Sequence, residues 1–330
     1  MQRKENAGLF LKGVYDLNLP YKLIISGSGS LELKANIQES LTGRKRLFRL
    51  FPVSFEEFLQ YHTEYKYEDR LPEFLAVEGE HVRFLLEEYL QFGGYPRIVT
   101  EARLDEKKLL MDEIFHSYLE KDIVYLLKVD RPEIFVHLIR LLAVHSGKLV
   151  NYSHLASSLG IAVRTLKKYL WYAENTFIIQ MVTPFYRNIK KEITKSPTVY
   201  FVDLGLRNFA LGRFGNLVAV SENGFAFQNF VFNLLQEKAD KLGGRLHSWR
   251  TKERAEVDFV LEKVDEVIPI GIKYASLKKI SILRSMRTFI EKYQPKSAWV
   301  VNLSLDTTSE LNHTKIHFIP YFKLLFSGSS

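Results

Sequence analysis

Two short stretches hold residues whose types and spacing suit chemistry. Glu256-Val257-Asp258-Phe259-Val260 alternates polar and apolar, and Ile268-Pro269-Ile270-Gly271-Ile272-Lys273 does the same. That period puts alternate side chains on one face of a β-strand, and the polar turn between the stretches makes them a hairpin. Glu256 and Asp258 then share one face of the first strand, and Gly271 and Lys273 one face of the second. Carboxylates so placed hold Mg²⁺, and a neighbouring lysine stabilises the charge that develops on a phosphate. The candidate catalytic residues are therefore Asp258, Lys273 and Glu256, with Asp258 as the metal ligand. The second strand has glycine at 271, which offers no side-chain ligand.

These strands need a chain large enough to position them. The 330 residues are 46% hydrophobic and 25% charged, a composition that builds packed cores and allows two or three domains. The absence of cysteine excludes disulfides and thiolate metal sites and fits a reducing cytoplasm. No apolar run reaches the ~18 residues of a membrane span, and the first ten residues lack the apolar core of a signal peptide. The net charge of +8 and pI near 9.3 point to a polyanionic partner.

In chain order, Tyr21–Ser30 reads as a buried strand ending in a glycine-rich turn, Leu31–Leu41 as a helix, and Arg46–Leu50 as a second strand. Ser54 with Glu57 forms a capping box that opens the next helix. The phrases GSGSLEL, LTGRK and FPVSFEEFL resemble the C-terminal half of the AAA-type ATPase module in a large prokaryotic family that joins it to a C-terminal domain of unknown function. GGYPRIV, SYLEKDIVYLL, PFYRNIKKEITKSPTVYFVDLGLRN and AEVDFV with IKY continue the resemblance almost to the end of the chain. It implies a nucleotide-sensing role for Ser28 and an arginine finger at Arg44; from the residues alone, Ser28 is a helix cap and Arg44 a solvated cation. The family's P-loop, GxxxxGK[ST], occurs nowhere in the sequence, and the resemblance places Met1 just after the Walker B acids. Without the phosphate cradle and the Mg²⁺ acid, ATP hydrolysis by this chain alone is not expected, and ATP would bind only with a P-loop partner. Residues 1–65 are thus expected to be a partial AAA-type sheet that exposes an edge and an apolar face.

A helical linker spans 66–129, with helices over Glu80–Phe92 and Asp105–Lys128. Residues 130–215 read as a winged helix-turn-helix. Pro132 opens a helix to about Ser146, Ser153–Leu159 and Ala162–Thr176 flank the turn at Gly160, and Ile178–Thr183 with Thr198–Asp203 form the wing. Arg164, Thr165, Lys167 and Lys168 lie early in the second helix, where a recognition helix meets the major groove. Arg187, Lys190 and Lys191 lie in the wing loop, where they would meet phosphates. The alternative is a protein-docking module whose lysines are solvated.

Residues 216–330 run helix Phe225–Leu242, strand Arg245–Arg250, the opening hairpin, helix Ser281–Tyr293 and strand Ser297–Leu303, with Leu311–Pro320 as a final strand. This αβββαβ order resembles the restriction-endonuclease-like PD-(D/E)xK core. That resemblance puts Glu at the position of Gln228, Asp near Asn223 and a second strand acid at Gly271, so the motif here lacks three acids: two positions are amides and one a glycine. A surviving Asp258–Lys273 ion pair is expected, with Lys252, Arg254, Lys278, Lys279 and Arg284 available to nucleic acid. No HExxH or GxSxG motif appears. The fold class expected is α/β. The function expected is a non-enzymatic DNA-binding or interaction module without a cofactor. The alternatives are a Mg²⁺-dependent nuclease or half of a split ATPase. Expected partners are DNA and either a P-loop half encoded upstream or a second copy of the chain.

Overall fold

The computed structural model describes residues 7–25, 46, 48–117, 119, 131–188, 190, 192, 195–216 and 220–325. The protein is a mixed α/β structure. Helix α1 (Ala7–Asp16) is followed by α2 (Phe55–His62), whose capping box forms as expected: the Glu57 N–H donates to Ser54 Oγ at 3.3 Å, and the Ser54 N–H donates to Glu57 at 2.8 Å. Next come α3 (Leu71–Val77), α4 (Gly79–Phe92), α5 (Pro96–Val99) and α6 (Leu104–His116). The expected strand pair of an AAA-type sheet is absent from the described residues. Tyr21–Ile25, Arg46 and Phe48–Leu50 belong to no strand and are exposed. An extended segment becomes a strand only where a neighbour takes up its N–H and C=O groups, and among the described residues none does so.

Helix α7 (Pro132–Val144) starts with proline at its first position; α8 (Tyr152–Ser158) is capped by Asn151, which accepts the His154 N–H at 3.0 Å. Gly160 turns the chain at φ +62°, and α9 (Val163–Asn175) follows. Strands β1 (Ile179–Val182) and β2 (Thr198–Phe201) pair antiparallel, and Leu149 bridges Thr198, adding a third short rung. Helix α10 (Leu204–Ala210) is capped by Asp203. Together α6 to α10 and the hairpin enclose one core, with Phe135, Leu166 and Phe201 at its centre.

Helix α11 (Val220–Leu242) leads into a six-stranded sheet of β3 (Arg245–Arg250), β4 (Glu256–Glu262), β5 (Val267–Ile272), β6 (Ser297–Asn302), β7 (Thr307–Leu311) and β8 (Thr314–Pro320), with α12 (Arg284–Tyr293) between β5 and β6. The order across the sheet is β3-β4-β5-β6-β8-β7; β5, β6 and β8 run parallel and the other neighbours antiparallel. The final strand expected over Leu311–Pro320 forms as β8 from Thr314; Leu311 ends β7, and Asn312 and His313, at positive φ, turn the chain between the two. Phe227, Phe230, Phe259 and Ile270 lie in a core between α11, α2–α4 and one face of the sheet. Trp249, Val260, Met286 and Phe289 lie in another core, under α12 on the opposite face.

Candidate functional site

Asp258 sits where β4 bulges. Between the pairs His247–Val260 and Trp249–Val257, β3 advances two residues and β4 three, and such an insertion re-aims the side chain it carries. The partly buried carboxylate turns to α11. Its Oδ1 accepts from the Gln228 amide at 2.6 Å, and its Oδ2 from the Ile272 N–H at 2.7 Å. Burial pushes its pKa up to about 6. The Ile272 hydrogen bond opposes that rise, Glu256 adds to it, and Lys273 and Gln228 oppose it.

The hairpin forms as expected, but it does not assemble the expected ligand set. Glu256 is exposed and pairs with Arg250 across the β3–β4 ladder at 3.4 Å; the adjacent cation, not Asp258, takes its charge. Lys273 lies one residue past β5, where its N–H donates to Val301 O at 2.8 Å. It lowers the Asp258 pKa through space, yet the expected ion pair does not form within 4 Å; the carboxylate bonds to Gln228 and the Ile272 N–H instead. A Cβ on Gly271 would lie 3.5 Å from Met286 Cε of α12, so there is room for a side chain. A divalent cation needs several hard anionic oxygens. One carboxylate beside a neutral amide does not fit it, and among the described residues no cluster of three His, Asp or Glu residues could hold one.

The second group of candidates lies on α9. Arg164, Lys167 and Lys168 are exposed and Thr165 is partly buried, while Leu166, Tyr169 and Leu170 face the core. Lys167 extends over the Tyr152 ring at 5.1 Å and Lys168 over Tyr172 at 5.5 Å, contacts that hold the ammonium groups in place while leaving them in water. In the loop after β1, Arg187 and Lys190 are exposed. Ser28, Arg44 and Lys191 lie outside the described residues.

Sequence reasoning missed the groups that tie the hairpin to the sheet. Asn229 of α11 is fully buried and serves both backbone groups of Phe201: it accepts the N–H at 2.9 Å, donates to the C=O at 2.7 Å, and also accepts from Ser146 Oγ at 2.9 Å. Its only signal in the sequence is an amide within the apolar run FAFQNFVFNLL. Asp203 is likewise buried. It accepts the Gly94 and Leu206 N–H groups at 2.7 Å each, and burial lifts its pKa to about 6.

Comparison with known proteins divides the chain in three. Residues 1–59 match an AAA domain family, 83–216 a domain of unknown function (DUF8612), and 223–324 another domain of unknown function (DUF4143). An uncharacterized protein of Haemophilus influenzae is 28% identical over 76% of this chain and 59% of its own length. An uncharacterized protein of Mycobacterium tuberculosis is 27% identical over 84% and 57%, and one of Methanocaldococcus jannaschii 24% identical over 87% and 62%. The chain thus spans about three fifths of the length of these relatives. No solved structure matches.

Proposed function

We propose that this chain is a non-enzymatic, duplex-DNA-binding module of an AAA-type protein, in which α7–β2 form a winged helix and α11–β8 a nuclease-like fold that has lost its metal site. The observation that carries this reading is the solvent face of α9. Arg164, Lys167 and Lys168 project from the second helix of a helix–turn–helix, and a hairpin with a third rung at Leu149 lies beside it. Such a helix meets the major groove through its first turns while a wing meets phosphates. The protein hydrogen bonds that both oxygens of Asp258 accept, with no second carboxylate beside them among the described residues, support the non-enzymatic half of the reading.

Duplex binding measured against KCl tests it. An Arg164→Gln/Lys167→Gln/Lys168→Gln variant is expected to weaken binding and to flatten the slope of log affinity against log salt by about 2–3, near 0.9 for each phosphate no longer neutralised. Affinity and slope equal to the parent would remove α9 from the interface. Mg²⁺-dependent cleavage by the unmodified chain, abolished in Asp258→Ala, would overturn the non-enzymatic reading.

The exposed apolar side chains near the N-terminus favour a second reading. Ile24 is 88% exposed and Leu50 98%, within the span that matches an AAA domain. Here the chain completes the sheet of a P-loop-bearing half, and ATP binds only to the pair. Co-expression with such a half should protect Ile24 and Leu50 from hydrogen exchange and proteolysis; unchanged cleavage there would dismiss it.

A further inference from the structure

Arg187 and Lys292 come from separate segments and meet at Tyr293 on the α12 side of the six-stranded sheet, with Lys252 in the neighbouring β3–β4 turn. Phe185, two residues before Arg187, is anchored to β3, where its N–H donates to Ser248 O at 2.7 Å; the Ser248 N–H in turn donates to Thr183 O at 3.1 Å. The Phe185 ring meets Tyr293 edge-on, with centroids 5.4 Å apart. The Arg187 guanidinium lies 5.6 Å from the centre of that same Tyr293 ring, and Lys292 Nζ lies 5.3 Å from it. Tyr293 is itself fixed from below by the Trp249 indole N–H, which donates to its hydroxyl at 3.3 Å. Lys252 lies in the β3–β4 turn, three residues past the Trp249 that bonds Tyr293, and Glu253 follows it. That carboxyl is held below its usual range by its own backbone N–H and Thr251, and then by the charges of Lys252 and Lys292. All three cations are exposed.

The aromatic base matters physically. A cation resting on a π face gains attraction while its charge stays hydrated, and it loses less side-chain freedom when an anion arrives. The backbone hydrogen bonds at Ser248 tie the loop that carries Arg187 to β3, next to the Tyr293 ring on which Arg187 and Lys292 rest. Cations held in this way suit a rigid, repeating anion such as the phosphate backbone of a duplex. Asp258 and Gln228 lie instead on the α11 side of the sheet.

We propose that Arg187 and Lys292, gathered on Tyr293, together with Lys252 of the neighbouring turn, are a second contact for the backbone of duplex DNA, separate from the Asp258–Gln228 pair. The proposal rests on the reading of the chain as a duplex binder and adds to it the path of the DNA. The duplex leaves the hairpin loop and runs over α12, bypassing the carboxylate, so bound DNA is held and not presented to Asp258.

The test uses the full chain and a duplex of mixed sequence, with affinity measured by fluorescence anisotropy across a KCl series. Arg187→Gln/Lys252→Gln/Lys292→Gln should reduce the salt slope by about 2–3, with the unfolding midpoint unchanged. Arg187→Lys in place of Arg187→Gln should recover about 0.9 of that slope, which a purely packing role for Arg187 would not do. If the slope of the triple variant matches the parent while the α9 variant loses binding, the second contact is overturned and the duplex-binding reading stands. If the unmodified chain shows no salt-dependent duplex binding, both fall. Stronger binding to single strands than to the duplex would also overturn the assignment.

Discussion

Asp258 keeps an ionisable carboxyl where charge is costly, and its partners show what the position does. A ligating carboxylate presents open oxygens to a cation, whereas both oxygens of Asp258 accept protein hydrogen bonds. The residue is therefore a polar tie between α11, β4 and the end of β5. Its pKa near 6, above the unfolded value, means that the folded state holds a proton over a range where the unfolded chain has lost it. This contribution to stability is fully present below about pH 4 and is lost as pH rises through about 6. Asp203 acts in the same window and direction. Urea unfolding from about pH 4 to about pH 7.5 should show stability falling as pH rises across that window. Asp258→Asn should make the fall shallower, because its amide can donate to a rotated Gln228 while its oxygen still accepts the Ile272 N–H. An unchanged profile would mean that Asp258 does not titrate there. In Asp203 each oxygen accepts a separate backbone N–H, so Asp203→Asn strands one and should cost about 1–3 kcal/mol at every pH.

Among the elements, the C-terminal end of α4 and the start of α10 are locked together. Asn208 Nδ2 donates to Leu90 O at 2.8 Å and to Gln91 O at 3.0 Å, two carbonyls that the end of α4 leaves without helical partners. Asp203 holds the Gly94 N–H on the other side. Gly205 permits the contact, since a Cβ there would lie 2.0 Å from Phe92 O, a backbone atom with no freedom to move aside. Gly205→Ala should therefore cost more than about 4 kcal/mol, or prevent folding. Gly224→Ala within α11, where a Cβ meets nothing within 4 Å, should raise stability by about 0.5–1 kcal/mol. Equal urea midpoints for the two variants would show that α4 and α10 are not locked in this way.

For the whole molecule, α11 is the shared member. Gln228 bonds to the sheet, Asn229 to the hairpin strand through Phe201, and Asn233 to Val202 O at 3.0 Å. On the other face of the sheet, the Pro184–Ser248 bridge and the Phe185–Tyr293 contact bring the hairpin loop to α12. The N-terminal segment differs: among its described residues Tyr21, Ile24, Phe48 and Leu50 face water, although Leu11 is buried, and the chain spans only about three fifths of its relatives' length.

Most of the local structure after residue 50 was legible in the order of residues. The Ser54–Glu57 box, Pro132, Asn151 and Gly160 act within a few residues of themselves, and the alternation in Glu256–Val260 does not depend on which strand lies beside it. Legible too was that Gln228 and Gly271 bring no carboxylate to the hairpin. Where Glu256, Lys273 and Arg187 direct their charge emerged only on folding, because those partners lie across a strand ladder, past a strand end, or 106 positions away on Tyr293. Folding likewise decided that Tyr21–Ile25 and Phe48–Leu50 are not strands, since a strand needs a neighbour that local sequence does not supply. The roles of Asn229 and Asp203 were hidden for a related reason. A buried amide or carboxylate is tolerated only where distant backbone groups meet it, and residue type alone says nothing of that meeting.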